Sequence, residues 1–340
     1  MRFLKFFVIG TVCGALLWLG VFYTLLGTPG DATGGLYGAY QYKKQVAERT
    51  ASPRIVFAGG SGVLLGIGAD LIHEALKVPT VNFGIFAGFD LDYQLQLLKP
   101  LLREGDIVVL AFEYPAYCFS GEMSSDTRNY IMERDPDFFT KQPLMVQLRQ
   151  ALTLGPGRMV QLGMSAVLPT IERQRLYPIE RLNAFGDQMI NREEAPNLRA
   201  IQRYKALDIS KSCRGPSASW SILDQFSQSM KKEKNVALLA TFPNTIDFQD
   251  YKKADFRNFT QKITAFYQTE QIEVLGSPQD FMYPIDFFYD TSYHLNGKGV
   301  KVRSERLSEL LGQTSVVQST QRYWREHSLT QPKMPVKGKE

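Results

Sequence analysis

The chain has 340 residues, of which 44% are hydrophobic and 12% aromatic. This length exceeds one average domain and suits one large α/β domain with insertions. The formal net charge of +5 is mild, and no block of lysine and arginine resembles a nucleic-acid-binding surface. We therefore exclude nucleic acid as a partner.

An uncharged run, Phe6 to Gly27, follows Arg2 and Lys5 near the amino end. At ~1.5 Å per residue, a helix of this length crosses a hydrocarbon layer of roughly 30 Å. The run is longer than the apolar core of a typical signal peptide, and no small-x-small cleavage site follows it. We therefore predict a cytoplasmic tail (residues 1–5), an uncleaved transmembrane anchor (6–27) and an extracytoplasmic remainder, in the bacterial periplasm or at the cell surface. The alternative is a buried hairpin helix, against which the lack of a polar face argues.

Residues 28–53 are rich in Gly, Tyr and Lys and are interpreted as a juxtamembrane spacer, with a short helix at 41–49. Strand-like and helix-like segments then alternate up to residue 111. The strand-like segments are 55–58, 80–83 and 106–111, and the helix-like segments between them are 62–76 and 90–103. This alternation predicts an α/β fold with a parallel, doubly wound sheet.

The alternation stops at residues 118–216, which are interpreted as a large insertion. It resumes with helices at 219–231, 252–268 and 297–311 and strands at 236–241 and 273–275. Residues 312–340 are mostly polar and are predicted to be a mobile tail. Cys118 and Cys213 lie at the two edges of the insertion, where they either pair or remain as two free thiols.

One serine lies where a strand changes into a helix. Gly59-Gly60-Ser61-Gly62 follows the first predicted strand, and its glycines allow a sharp turn with a small polar side chain at the bend. The amide groups of the following helix start point to the same place. This is a suitable position for a nucleophile.

Of the three histidines, His294 has the most suggestive surroundings, whereas His73 and His327 are interpreted as incidental. Asp290 precedes His294 by four residues, in a loop just before the last predicted helix. A loop aspartate near a histidine can orient the imidazole and stabilise its charged form, and such a histidine can activate a serine. The alternative is an ordinary helix start capped by Asn296. We find no zinc-ligand spacing and expect neither a metal nor a cofactor.

Together, Ser61 after the first strand, Gly84 after the second and Asp290/His294 before the last helix resemble the blocks of the SGNH/GDSL hydrolase superfamily. The resemblance covers roughly residues 54–311, leaves the insertion unmatched, and implies a flavodoxin-like three-layer αβα sandwich. It also implies that Ser61 is the nucleophile, His294 the base and Asp290 its partner. The amides of Ser61 and Gly84 would form the oxyanion hole, with Asn244 as a third donor.

Two positions depart from the family pattern. Thr291 stands three residues before the histidine, where the family usually has its aspartate. Glu113 stands where the family has an asparagine after the third strand, and a carboxylate there would repel the developing negative charge. We therefore expect Glu113 not to do the work of that asparagine.

An anchored, exported domain of this type is similar to the DltD-like and AlgJ/AlgX-like proteins of bacterial cell-surface acylation. The resemblance implies an esterase or O-acyltransferase that acts on a surface polysaccharide or related polymer beside a membrane-bound O-acyltransferase. A non-catalytic scaffold that binds the polymer or this partner is the alternative. A third reading takes Gly60 to Gly66 as a dinucleotide loop, but it requires an acidic residue after the second strand, where Asn82-Phe83-Gly84 stands.

Overall fold

A five-stranded, fully parallel sheet forms the centre of the protein, in a computed structural model that describes residues 2–167 and 177–327. Its strands are β1 (Ile55–Gly59), β2 (Thr80–Gly84), β3 (Ile107–Leu110), β4 (Ala237–Thr241) and β6 (Glu273–Leu275), in the order β2-β1-β3-β4-β6. A separate parallel pair is formed by β5 (Thr245–Ile246) and β7 (Met282–Tyr283). The predicted α/β class with a parallel sheet is confirmed.

Helices connect and flank these strands. In chain order they are α1 (Arg2–Leu25), α2 (Asp31–Arg49), α3 (Ser61–Leu64), α4 (Ala69–Leu76), α5 (Leu91–Leu98), α6 (Ser125–Arg134), α7 (Pro136–Thr140), α8 (Leu144–Thr153), α9 (Pro156–Val167), α10 (Ile190–Glu193), α11 (Leu198–Ile201), α12 (Ile209–Ser212), α13 (Ser219–Lys234), α14 (Ala254–Thr269), α15 (Gly297–Gln313) and α16 (Ser315–His327). Short 3₁₀ turns lie at Lys99–Leu101, Tyr114–Cys118, Ile179–Arg181, Gln249–Lys252, Pro278–Phe281 and Ile285–Phe287.

The three central strands are buried along their whole length. Every residue of β1, β2 and β3 is buried, as expected for parallel strands that are covered on both faces. α4 packs with α15, and α5 packs with α13. Because crossovers between parallel strands are right-handed, the reversal of direction between β1-to-β2 and β2-to-β3 places α4 and α5 on opposite faces of the sheet.

The chain divides into two compact units. The first contains Met1–Gln41 and Met123–Ile179, and the second contains Tyr42–Glu122 and Glu180–Glu340. Of the predicted insertion of residues 118–216, residues 123–179 belong to the first unit, and residues 118–122 and 180–216 belong to the second. Residues 168–176 of the insertion lie outside the described residues.

Two of the predicted segments are more structured than expected. The predicted spacer of residues 28–53 contains α2, a helix of 19 residues with Lys43, Val46 and Ala47 buried. The predicted tail of residues 312–340 begins with the end of α15 and continues into α16, which packs through Val317 and Trp324. The helices were missed because sparse apolar residues at helical spacing lie within these polar stretches. The part of the tail beyond residue 327 lies outside the described residues.

A buried ion pair holds the start of β1. Arg54 and Asp106 are both fully buried, and their side chains meet at 3.1 Å. Arg54 also donates to the carbonyl oxygens of Leu101 (2.8 Å) and Thr50 (3.1 Å), while Asp106 accepts from the Ser52 hydroxyl at 2.6 Å. The pair thus joins the end of α2 to the starts of β1 and β3.

Cys118 and Cys213 form a disulfide bond, so the open alternative of two free thiols does not hold. The bond closes a loop with a sequence separation of 95 residues. Among the described residues, the remaining cysteine is Cys13, which is exposed on α1.

α1 is long and apolar enough to cross a membrane, and a signal sequence would satisfy the same criterion. It begins four residues before the predicted run and ends two residues before Gly27.

Candidate active site

Ser61 lies at the carboxyl end of the central strand β1. The strand ends at Gly59, and α3 begins at Ser61, so the serine occupies the turn that the sequence predicts. Ser61 is only 6% exposed to solvent. Because β1 is flanked by β2 and β3, Ser61 lies where the chain order of the sheet reverses, the usual place for a ligand site in open α/β sheets.

His294 connects Ser61 to Asp290 through its two ring nitrogens. Its Nε2 lies 2.8 Å from Ser61 Oγ, and its Nδ1 lies 2.7 Å from Asp290 Oδ1. The three predicted catalytic residues are therefore brought together, although Ser61 and His294 are 233 positions apart. With the Nδ1 proton held by the carboxylate, Nε2 is free to accept a proton from the serine hydroxyl.

The loop that carries Asp290 and His294 is closed by its own backbone. Tyr289 N donates to His294 O at 2.8 Å, and Phe288 bridges to Leu295 in antiparallel fashion. Thr291, at the usual aspartate position, accepts the His294 amide at 3.1 Å through its Oγ1. Thr291 therefore shapes the turn, while Asp290 contacts the imidazole.

The start of α15 also has the predicted cap. Asn296 accepts from the Gly299 amide at 3.1 Å through its side chain. The capped helix start and the histidine contact occur together, so the two readings of this loop are not exclusive.

Glu113 accepts hydrogen bonds from the backbone on both sides of Ser61. It follows β3, is 4% exposed, and accepts from the amides of Gly62 (2.6 Å) and Gly60 (3.2 Å). A Cβ atom at Gly60 would lie 2.6 Å from this carboxylate, which explains the glycine there. Burial raises the pKa of Glu113, against the lowering effect of the two amides and of nearby His294. Glu113 therefore acts as a hydrogen-bond acceptor here.

Arg303 on α15 binds the same segment through the carbonyl group of Gly62. It is fully buried and donates to Gly62 O at 3.0 Å and to the side-chain oxygen of Asn244. Burial lowers the pKa of Arg303 to about 10, and Glu113 is among the groups that favour its charged form. The amide of Gly62 is thus held by a carboxylate and its carbonyl by a guanidinium, which fixes the first turn of α3.

Gly84 and Asn244, which were predicted to donate to an oxyanion, each make a hydrogen bond within the protein. The Gly84 amide donates to Asn82 Oδ1 at 3.0 Å, and Asn244 Nδ2 donates to Tyr293 O at 2.6 Å. A Cβ atom at Gly84 would lie 2.3 Å from the Leu64 amide nitrogen, so this glycine allows β2 to approach α3 closely. Among the described residues, the Ser61 backbone amide has no hydrogen-bond acceptor. Of the predicted donors, it is the one that remains available to an oxyanion.

Asn82 binds the peptide segment between α3 and α4, where the helix predicted over residues 62–76 is interrupted. Its Nδ2 donates to Val63 O (3.0 Å), Ile67 O (3.1 Å) and Asp187 Oδ1 (3.0 Å). These bonds interrupt the helix between α3 and α4. Lys43 Nζ, which is fully buried, donates to Asn82 O at 2.7 Å, and burial lowers the pKa of Lys43 to about 7.

Four buried polar residues near the site were not identified from the sequence as functional. Asn82 lies in an otherwise apolar strand, and Arg303 lies on the apolar face of a helix, so a search for polar residues at core positions would have found both. Asp187 and Lys43 carry no such signal, because they lie in stretches without a clear periodicity.

The other histidines make local contacts. His73 Nδ1 lies 2.8 Å from Val78 O, and His327 Nδ1 lies 2.7 Å from Tyr323 O. Within residues 2–167 and 177–327, no group of three or more His, Cys, Asp or Glu side chains could hold a metal ion.

Asn244 is expected to position His294 through its bond to Tyr293 O. Asn244→Asp keeps an acceptor for Arg303 but loses this donor, and Asn244→Ala loses both. Because a displacement of ~1 Å can cost about 100-fold in rate, we expect both variants to lower kcat by up to about 100-fold with little change in KM. Steady-state turnover of an activated ester measures this, and full activity of Asn244→Asp would contradict it.

Glu113 is expected to make stability depend on pH. Its folded pKa is raised above the ordinary value of 4.5, so the folded state binds more protons between the two values. The free energy of unfolding therefore falls as the pH rises through this window, by at most about 1.4 kcal/mol per pH unit for this group. Glu113→Gln should remove this component. Denaturant unfolding of both proteins in detergent over a pH series measures it, and an unchanged pH slope in the variant would refute it.

No protein-family model matches the chain, and no match to curated proteins or solved structures was found. The resemblance to the SGNH/GDSL superfamily therefore rests on the residues and their geometry.

Proposed function

We propose that this chain is a membrane-anchored SGNH-type serine esterase or O-acyltransferase that works through an acyl-Ser61 intermediate. The observation that carries the proposal is the continuous hydrogen-bond relay from Ser61 through His294 to Asp290. Numbered along the chain, the strands of the main sheet run 2-1-3-4-5, the order of flavodoxin-like folds, which supports the fold that this superfamily uses.

The proposed reaction has two halves. His294 Nε2 takes the Ser61 proton while Ser61 Oγ bonds to the ester carbonyl carbon, and the leaving alcohol then receives that proton as its C–O bond breaks. In the second half, a sugar or polyol hydroxyl, or water, gives its proton to His294 and attacks the acyl carbon. Ser61 leaves and recovers the proton. Asp290 keeps the imidazole oriented throughout.

The oxyanion site is the weakest part of this machinery. The Ser61 amide supports it, whereas the amides of Gly60 and Gly62 donate to Glu113. The loss of one oxyanion donor typically costs about 100- to 1000-fold in turnover. We therefore propose that the enzyme turns over slowly. A membrane-bound protein that supplies acyl groups is a suitable partner for it.

The proposed location is extracytoplasmic. Arg2 and Lys5 precede the apolar run and favour a cytoplasmic amino terminus. The Cys118–Cys213 bond also supports an oxidising compartment for the remainder. A polymer of the cell surface, modified beside a membrane-bound O-acyltransferase, is the substrate that the resemblance suggests.

One set of contacts favours the alternative, a non-catalytic scaffold that binds the polymer or the acyltransferase. Glu113 occupies two amides beside Ser61, and Gly84 and Asn244 are committed to other acceptors. In this view the relay is retained without turnover.

A serine-directed fluorophosphonate tests the proposal directly. We expect a covalent adduct on Ser61, located by peptide mass spectrometry in detergent-solubilised protein. His294→Ala should lose the adduct, whereas Ser221→Ala, which changes an exposed serine of α13, should keep it. An adduct of equal yield in His294→Ala would contradict activation by the imidazole.

A further inference from the structure

The outer half of α1 is covered by protein along one face. Ala15, Trp18 and Leu19 are partly buried and Phe22 is fully buried, whereas residues 2–14 are exposed. These four positions follow helical spacing and define one stripe. α8 and α9, which pack against α1, belong to the same compact unit as α1.

α8 makes the most specific of these contacts. Trp18 Nε1 donates to Ala151 O at 2.8 Å, and the Tyr23 hydroxyl donates to Gln147 Oε1 at 3.0 Å. Since the later residue of α1 meets the earlier residue of α8, the two helices run antiparallel here. α9 also packs against α1.

These contacts lie at membrane depth if the apolar run spans the bilayer. At ~1.5 Å per residue from Phe6, Trp18 lies about 18 Å along a run of roughly 30 Å. With Arg2 and Lys5 at the cytoplasmic end, Trp18 falls in the outer half of the hydrocarbon layer. Helix α8, bonded to it, must then lie at the same depth.

The surface of the α8–α9 hairpin (residues 144–167) suits this depth. Its exposed large hydrophobic side chains are Leu144, Met145, Leu152, Val160, Met164 and Val167, and Arg149 and Gln161 are exposed beside them. Three of its shorter polar side chains find partners within the protein, as the bilayer requires. Gln147 donates to Thr140 O (2.9 Å) and Gln142 O (2.7 Å), Thr153 to Arg149 O (2.8 Å) and Ser165 to Gln161 O (3.1 Å).

The buried carboxylate of Glu133 binds the hairpin close to the end of the apolar run of α1. Glu133 of α6 is 2% exposed and accepts from the Gly30 amide at 3.0 Å, from the Thr33 hydroxyl and from Arg158 of α9. This ion pair lies beside Gly30, three residues beyond the apolar run. This ion pair is thus placed at the interface.

We propose that the α8–α9 hairpin inserts into the outer leaflet beside α1, so that the protein holds the membrane through three helices instead of one. The occupant of its exposed face is the acyl-chain region of the bilayer. The inference does not depend on the chemistry of Ser61, and either proposal can fail without the other.

Depth-dependent quenching on the full chain in lipid vesicles tests this proposal. Each variant carries Cys13→Ala, the intact Cys118–Cys213 bond and one new cysteine labelled with an environment-sensitive fluorophore. The test sites are Leu152→Cys and Val160→Cys. Leu17→Cys, exposed on α1, calibrates the bilayer interior, and Asp126→Cys, exposed on α6 of the same unit, calibrates water.

We expect nitroxide-labelled lipids to remove most of the fluorescence at positions 17, 152 and 160, and aqueous iodide to quench position 126 alone. Iodide quenching at 152 and 160 equal to that at 126 would overturn the proposal. Protection at 152 and 160 from both quenchers would also overturn it, since another protein or a second copy would then cover the face. Absence of lipid quenching at position 17 would also overturn the proposal, since α1 would then not lie in the bilayer.

Discussion

On the proposed function, Ser61→Ala is expected to abolish acylation of a surface polymer in the host cell while the protein reaches its normal level in the membrane. In purified enzyme, we expect turnover to fall by on the order of 10⁴- to 10⁶-fold, because the nucleophile and its base act as one unit. For the same reason, Ser61→Ala combined with His294→Ala should cost little more than either change alone. Polymer-bound acyl groups and turnover of an activated ester are the two measurements.

Ser221→Ala serves as the matched control, since it removes an exposed hydroxyl far along the sequence in α13. Unchanged polymer acylation in the Ser61→Ala strain would reject covalent catalysis and favour the scaffold. If acylation is lost only because the protein disappears from the membrane, the activated-ester assay on purified Ser61→Ala decides, and retained turnover would again reject the nucleophile.

The second large effect concerns stability. Asp106→Ala should lower the free energy of unfolding by about 3–5 kcal/mol, because it leaves the guanidinium of Arg54 buried without its carboxylate. The variant also removes the acceptor of the Ser52 hydroxyl. Denaturant unfolding of the full chain in detergent, followed by circular dichroism, measures the loss.

Two comparisons separate burial from charge. Replacing the pair together, as Arg54→Met with Asp106→Leu, should recover much of the lost stability, since no charge then remains uncompensated. Glu305→Gln removes the exposed partner of Lys301, 3.9 Å away, and should cost less than about 1 kcal/mol. A loss in Asp106→Ala as small as in Glu305→Gln would show that the buried pair is not important to the fold.

The parts that the sequence predicts well depend on repeating apolar patterns. β1, β2 and β3 are buried on both faces, so their mostly apolar segments were sufficient to find them. Ser61 and His294 were found because each stands beside turn residues at an element boundary, and parallel topology then carries such boundaries to one edge of the sheet.

The oxyanion donors were harder to predict because an amide can equally donate a hydrogen bond to an acceptor within the protein. Gly84 and Asn244 stand at strand ends, yet the Gly84 amide donates to Asn82 Oδ1 and Asn244 Nδ2 donates to Tyr293 O. These partners come from side-chain rotamers and loop paths that no sequence period encodes. Likewise, α16 buries Trp324 against Pro53, 271 positions away, a contact that polar composition conceals.

The closed loop around Asp290 and His294 has one further consequence. Its backbone bonds link Tyr289 to His294 and Phe288 to Leu295, so carboxylate and imidazole share one small rigid frame, whereas Ser61 belongs to the sheet. Any hinge motion of this frame would stretch the serine–imidazole gap and leave the aspartate–imidazole bond untouched. The two contacts of the imidazole thus differ in kind, since one lies within the loop and the other joins the loop to the end of β1.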